Sequence, residues 1–164
     1  MTVIEPVSLY FGAERAESLL FICVGLVGLE LAWTCWRKGM TGQARGAAVA
    51  LALLAAIQLL VGGTVFVRSP HDQARVSQAL QSDVQQVRTQ ELPRMRTVMR
   101  NFRVYRWVEI AAVFLGALMA LAGRRGSMTR GVGLVLLPQA LVLLVFDGLA
   151  EERGASYLAW LQRL

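Results

Sequence analysis

The stretch GAAVALALLAAIQLLVGGTVFV, Gly46 to Val67, is 22 residues long and carries no charge. As a helix it covers the roughly 30 Å of a bilayer's hydrocarbon, which takes about 20 residues. A helix is required there because lipid offers no hydrogen bond to an open backbone. Three more stretches read the same way: Ser18 to Trp36, Trp107 to Ala122 and Gly131 to Ala150. Together the four predict an all-α fold, a four-transmembrane-helix bundle forming one membrane domain over residues 1–164.

Composition agrees. Hydrophobic residues make up 55% of the chain, more than a soluble domain of this size readily hides. The net charge is +6, and of the 17 basic residues all but Lys38 are arginine. In a four-span chain that balance points to orientation and anionic headgroups rather than to nucleic acid. The acidic start, with Glu5, Glu14 and Glu17, lacks the positive region of a signal peptide, so the first apolar stretch is expected to stay as a span. Cys23 and Cys35 fall on that span, about 18 Å apart along a helix, and cannot pair within one chain. They read as small packing residues.

Both short connections are basic and free of acids. One holds Arg37, Lys38 and Arg45, the other Arg124, Arg125 and Arg130. Cytoplasmic loops have this character, which places both termini and the long connection 69–106 on the opposite, periplasmic side. That connection carries many arginines itself, which weighs against the orientation. Ser69-Pro70 is expected to start a helix there, with Val76, Leu80, Val84 and Val87 on one face. Leu92-Pro93 is expected to break it. A second helix then carries Met95, Val98, Met99, Phe102 and Tyr105 on one face and Arg96, Arg100 and Arg103 on another. The connection thus predicts an extramembrane helical hairpin. Small residues four apart, Ala48/Ala52/Ala56 and Ala112/Gly116/Ala120, are expected to let helices approach closely.

Alternating topology brings the start of span one, the end of span two, the start of span three and the end of span four to one face. Most ionisable groups collect there. Arg68, Arg103, Arg106, Glu109, Asp147, Glu151 and Arg153 are the candidate ligand-binding residues, with Glu14, Glu17, His71 and Asp72 nearby. Glu109 and Asp147 lie a turn inside the apolar boundary, with Arg106 and Arg68 as expected partners. Deeper still are Glu30, which Arg37 is expected to reach, and Gln58 and Gln139, expected to bond to each other beside a kink at Pro138. No spacing of His, Cys or acids suggests a metal site, and no cofactor motif is present.

The stretch from Pro93 to Glu109, PRMRTVMRNFRVYRWVE, with Asp147 through Arg153, resembles a group of small four-span bacterial inner-membrane proteins. The resemblance implies that location and attaches no activity. The function that leads is a non-enzymatic membrane protein binding a lipid, small ligand or protein partner through the outer-leaflet polar cluster, with an anionic lipid or protein partner at the periplasmic hairpin. Two alternatives stay open. One is an oligomeric ion or solute conduit using Glu30, Gln58, Gln139 and Glu109. The other is a membrane enzyme using Glu109, Asp147 and Glu151 as acid–base groups on a lipid-borne substrate.

Overall fold

The structure is a computed structural model and describes residues 4–164. Four helices follow one another: α1 (Glu5–Lys38), α2 (Gly42–Ser82), α3 (Val84–Ala122) and α4 (Met128–Leu161). Each is long and apolar enough to cross a membrane. Among the described residues there is no strand.

Local chemistry sets the helix ends. Thr41, Asp83 and Ser127 sit in extended backbone and accept from the N–H groups of Ala44 (3.2 Å), Gln85 (2.9 Å) and Arg130 (3.3 Å). Each satisfies a donor that the first helical turn leaves open. α1 instead has Pro6 in its first turn, and Arg37 and Lys38 in its last turn, where cations suit the negative end of the helix dipole. Gly126 adopts φ +82°, a left-handed conformation that turns α3 into α4. Its carbonyl accepts from the Gln43 N–H at 2.7 Å, which ties the two short loops together.

Glycine and alanine decide how the helices pack. α1 rests mainly on α2 and α3 mainly on α4. A Cβ at Gly25 would lie 2.9 Å from Leu59 Cγ, and one at Gly62 would lie 2.8 Å from the Ser18 carbonyl. The α1–α2 seam therefore runs through Ser18, Gly25, Gly28, Ala55, Leu59 and Gly62. Of the expected Ala48/Ala52/Ala56 row, only Ala48 is buried, and Ala56 faces outward. On α3, Gly116 and Ala120 do meet α4: a Cβ on Gly116 would lie 2.7 Å from the Leu137 amide, and Gly133 abuts Ala120. Near the short loops α2 and α4 touch backbone to backbone, Gly46 against Met128 and Gly131 against Gln43.

At the other end, here called the distal end, the start of α1, the end of α2, the start of α3 and the end of α4 share one core. It contains Val7, Phe11, Val76, Leu80, Val87, Met95, Tyr157 and Leu161. Three expectations are corrected here. α2 passes through Pro70 without a new start, and Ser69, buried, donates to the Phe11 carbonyl of α1 at 3.0 Å rather than capping a helix. The turn falls at Asp83, not at Leu92-Pro93, and α3 runs straight through Pro93. Val84, just past that turn, is exposed while Val76, Leu80 and Val87 are buried. The arms 69–82 and 84–106 are thus continuations of α2 and α3 that pack with α1 and α4, not a hairpin standing alone.

Candidate functional site

The distal end gathers the charges that the topology brings together. Four sets of ion pairs link neighbouring helices in a closed ring. Arg68 of α2 reaches Glu14 of α1 at 3.5 Å, and Arg75 of α2 reaches Glu91 of α3 at 3.4 Å. Arg106 of α3 pairs with Glu151 of α4, and Arg153 of α4 pairs with Glu17 of α1. Asp72 braces Arg68 and Arg75 from within α2, at 3.3 and 3.1 Å. His71 is exposed beside them.

These pairs differ in weight. The arginines at 68, 75, 106 and 153 are all more than a third exposed, and such pairs contribute about 0–1 kcal/mol each. Glu91 is different. It is only 1% exposed, and Arg94 grips both its oxygens, Nε at 2.8 Å and Nη2 at 2.6 Å. This bidentate fork is the strong form of the interaction. The same guanidinium lies over the Phe11 ring at 5.6 Å. Tyr10 stacks on Tyr157 at 4.4 Å, and Trp160 continues the stack at 5.6 Å. The Tyr157 hydroxyl is buried near Glu91 without a close hydrogen bond. Between α1 and α4 a groove of about 430 Å³ opens beside these rings, bordered by Leu9, Tyr10, Leu149, Glu152, Arg153 and Trp160.

Glu109 and Asp147 come close enough to influence each other, as topology requires. Glu109 is buried and its Oε2 has no partner. The arginines expected beside them are engaged elsewhere, Arg106 with Glu151 and Arg68 with Glu14 and Asp72. The acids they pair with are more exposed than Glu109. Two adjacent carboxyl groups are chemically able to pass a proton or share a cation.

Arg103 lies on a different face. With Arg96 and Arg100 it forms an exposed row on α3, and none of the three takes part in an ion pair among the described residues. Spacings of four, three and four carry the row to Trp107, which is 68% exposed. Farther along the same face come Phe114, Leu118 and Leu121, all exposed.

The deep polar groups stay apart. Gln58 is buried with its Oε1 unpartnered, Gln139 is half-buried, and no hydrogen bond joins them. Glu30 is exposed, and Arg37 does not reach it; the Arg37 guanidinium lies over the Trp33 ring at 5.4 Å instead. Both cysteines are free. Among the described residues no three His, Cys, Asp or Glu side chains converge as a metal site would need.

Glu91, Tyr10, Tyr157 and Trp160 are site residues the sequence did not single out. Two signals were available: Glu91 and Arg94 are three apart on one helix, and Val7/Phe11 and Tyr157/Leu161 continue an apolar period beyond the spans. No protein family, curated protein or solved structure matches the chain.

Proposed function

We propose that the chain is a non-enzymatic protein of a bacterial inner membrane that binds anionic phospholipid headgroups through Arg96, Arg100 and Arg103. On this reading the four helices extend past the hydrocarbon into a shared periplasmic cap. Their lengths support it. At 1.5 Å per residue α2 is about 61 Å long and α3 about 58 Å, twice the hydrocarbon thickness. The ionisable residues of the long connection and of the two ends lie on the extra length. The basic short loops support cytoplasmic placement of the other end.

The unpaired arginine row is the observation that carries the binding reading. Arg68, Arg75, Arg94, Arg106 and Arg153 are all matched to acids. The row is not, and it continues a lipid-facing stripe with Trp107 at the junction, where tryptophan marks an interface. Arg103 and Arg100 stand about 6 and 10 Å above Trp107 along the helix. With their long side chains they reach a headgroup layer about 5–8 Å deep. Arg96, about 16 Å up, contributes only through the screened field. Near an anionic surface each arginine adds about 1 kcal/mol.

The test is native mass spectrometry of protein extracted from nanodiscs that contain equal anionic and zwitterionic phospholipid. Wild type should carry mainly the anionic lipid. The triple variant Arg96→Gln, Arg100→Gln, Arg103→Gln should lose about tenfold or more of it, the effect of about two arginines, with an unchanged melting temperature. Equal retention by both proteins would refute the proposal.

A further inference from the structure

Glu30 is out of place. It lies twelve residues into the first apolar segment on an outward face, with no ion pair or hydrogen bond among the described residues. Lipid supplies no donor, and an acid within a span costs about 2.5–3.5 kcal/mol at its centre unless something meets it. Nor does the side chain lean to the nearer water. Helical side chains tilt toward the N-terminus, which for α1 directs the Glu30 carboxyl away from the short-loop end and toward mid-depth.

The face that carries Glu30 has a regular repeat. Leu19, Cys23, Leu26, Glu30, Trp33 and Arg37 follow spacings of four, three, four, three and four, and all six are exposed. α1's other side, through Ser18, Gly25 and Ala32, is already buried against the bundle. A strict four–three alternation is the seam of a left-handed helix pair, in which one polar seam residue fixes register and partner number. Trp33 supplies the complement. Its indole N–H is a donor only, has no acceptor among the described residues, and sits one turn from Glu30, about 4.5 Å along the axis. The Arg37 guanidinium lies over its ring at 5.4 Å.

We infer that this stripe of α1 is the interface with a second copy of the same chain, with the Glu30 carboxyl accepting from the Trp33 indole of the other copy and the reverse. Two copies in the same membrane orientation, related by an axis along the bilayer normal, bring equal depths together. The long Trp33 side chain tilts toward its own N-terminus, which carries its indole back to the level of the other copy's Glu30, and one contact made twice satisfies all four groups. An unrelated partner would need a donor of its own at that depth, whereas this chain already carries one. The carboxyl accepts from the indole in either protonation state. This interface lies on α1, away from the arginine row on α3, and does not depend on lipid recognition there.

Cysteine crosslinking in native membranes tests it. In Cys35→Ser, Cys23 is the single thiol and faces the seam; oxidation by copper phenanthroline should give a covalent species of twice the chain mass. A cysteine at Val24, in a chain lacking the native two, should not crosslink. With added lipid to dilute the protein, Glu30→Leu should lower the Cys23 dimer about three- to tenfold, in line with a membrane interhelical hydrogen bond. Glu30→Gln, which keeps an acceptor, should restore it. The inference is overturned if Cys23 reacts with N-ethylmaleimide yet forms no dimer. It is equally overturned if the adduct has another mass, or if Glu30→Leu leaves the yield unchanged.

Discussion

Glu91 carries the largest electrostatic stake at the distal end, because it is the one acid that is both buried and fully gripped. Removing one member of such a pair leaves the other uncompensated, at a cost of about 3–5 kcal/mol. Glu91→Ala should therefore lower the thermal unfolding midpoint clearly. Glu152→Ala, at an exposed acid outside every ion pair, should stay within about 0.5 kcal/mol of wild type. Thermal unfolding of the full chain in one detergent compares them. The sequence shows six arginines from position 88 to position 106 and does not sort them. Which ones face acids depends on helix rotation, and that depends on where the turn lies. Expecting a break at Pro93 detached Glu91 from Arg94, although both lie on one uninterrupted helix. Glu109 beside Asp147 was legible, because alternating topology alone brings those helix ends together.

At the scale of the element, Asp83 and Pro93 compete to end a helix, and Asp83 does. Its side chain caps α3 while its own N–H closes α2 onto the Ala79 carbonyl at 2.8 Å. One residue thus serves both ends, and proline has no such advantage. Proline inside a helix removes one bond and crowds the preceding turn, at about 3 kcal/mol in an ordinary helix. Pro93→Ala should accordingly keep or raise stability. Asp83→Ala should lower it by about 1 kcal/mol, the usual value of a lost cap. Denaturation midpoints of the two variants check this, and the opposite order would restore the break at Pro93. The spans were legible because an uninterrupted apolar run has few other readings. Their continuations were not, because before Ser18 and Trp107 and after Val67 and Ala150 a helix with polar and apolar faces resembles many loops.

For the molecule as a whole, approach between helices is set by residues without side chains. Gly131 lies against the Gln43 backbone, so a side chain there must push α2 and α4 apart. Overpacking of that kind costs about 1–3 kcal/mol, more when the obstacle is backbone. Gly131→Leu should lose folded yield and stability. Gly148→Leu, whose Cβ would meet nothing within 4 Å, should be tolerated. Size-exclusion profiles and melting curves in detergent separate the two outcomes.

On the proposed reading, the four helices continue together into a cap outside the hydrocarbon. Spin-label depth measurement in proteoliposomes addresses it most directly, with single labels at Thr97, Ser156 and Leu118. Thr97 and Ser156, both exposed at the distal end, should be relaxed far more by a water-soluble nickel chelate than by oxygen. Leu118, 62% exposed on the lipid-facing side of α3, should show the reverse. Oxygen-dominated relaxation at Thr97 and Ser156, matching Leu118, would contradict it.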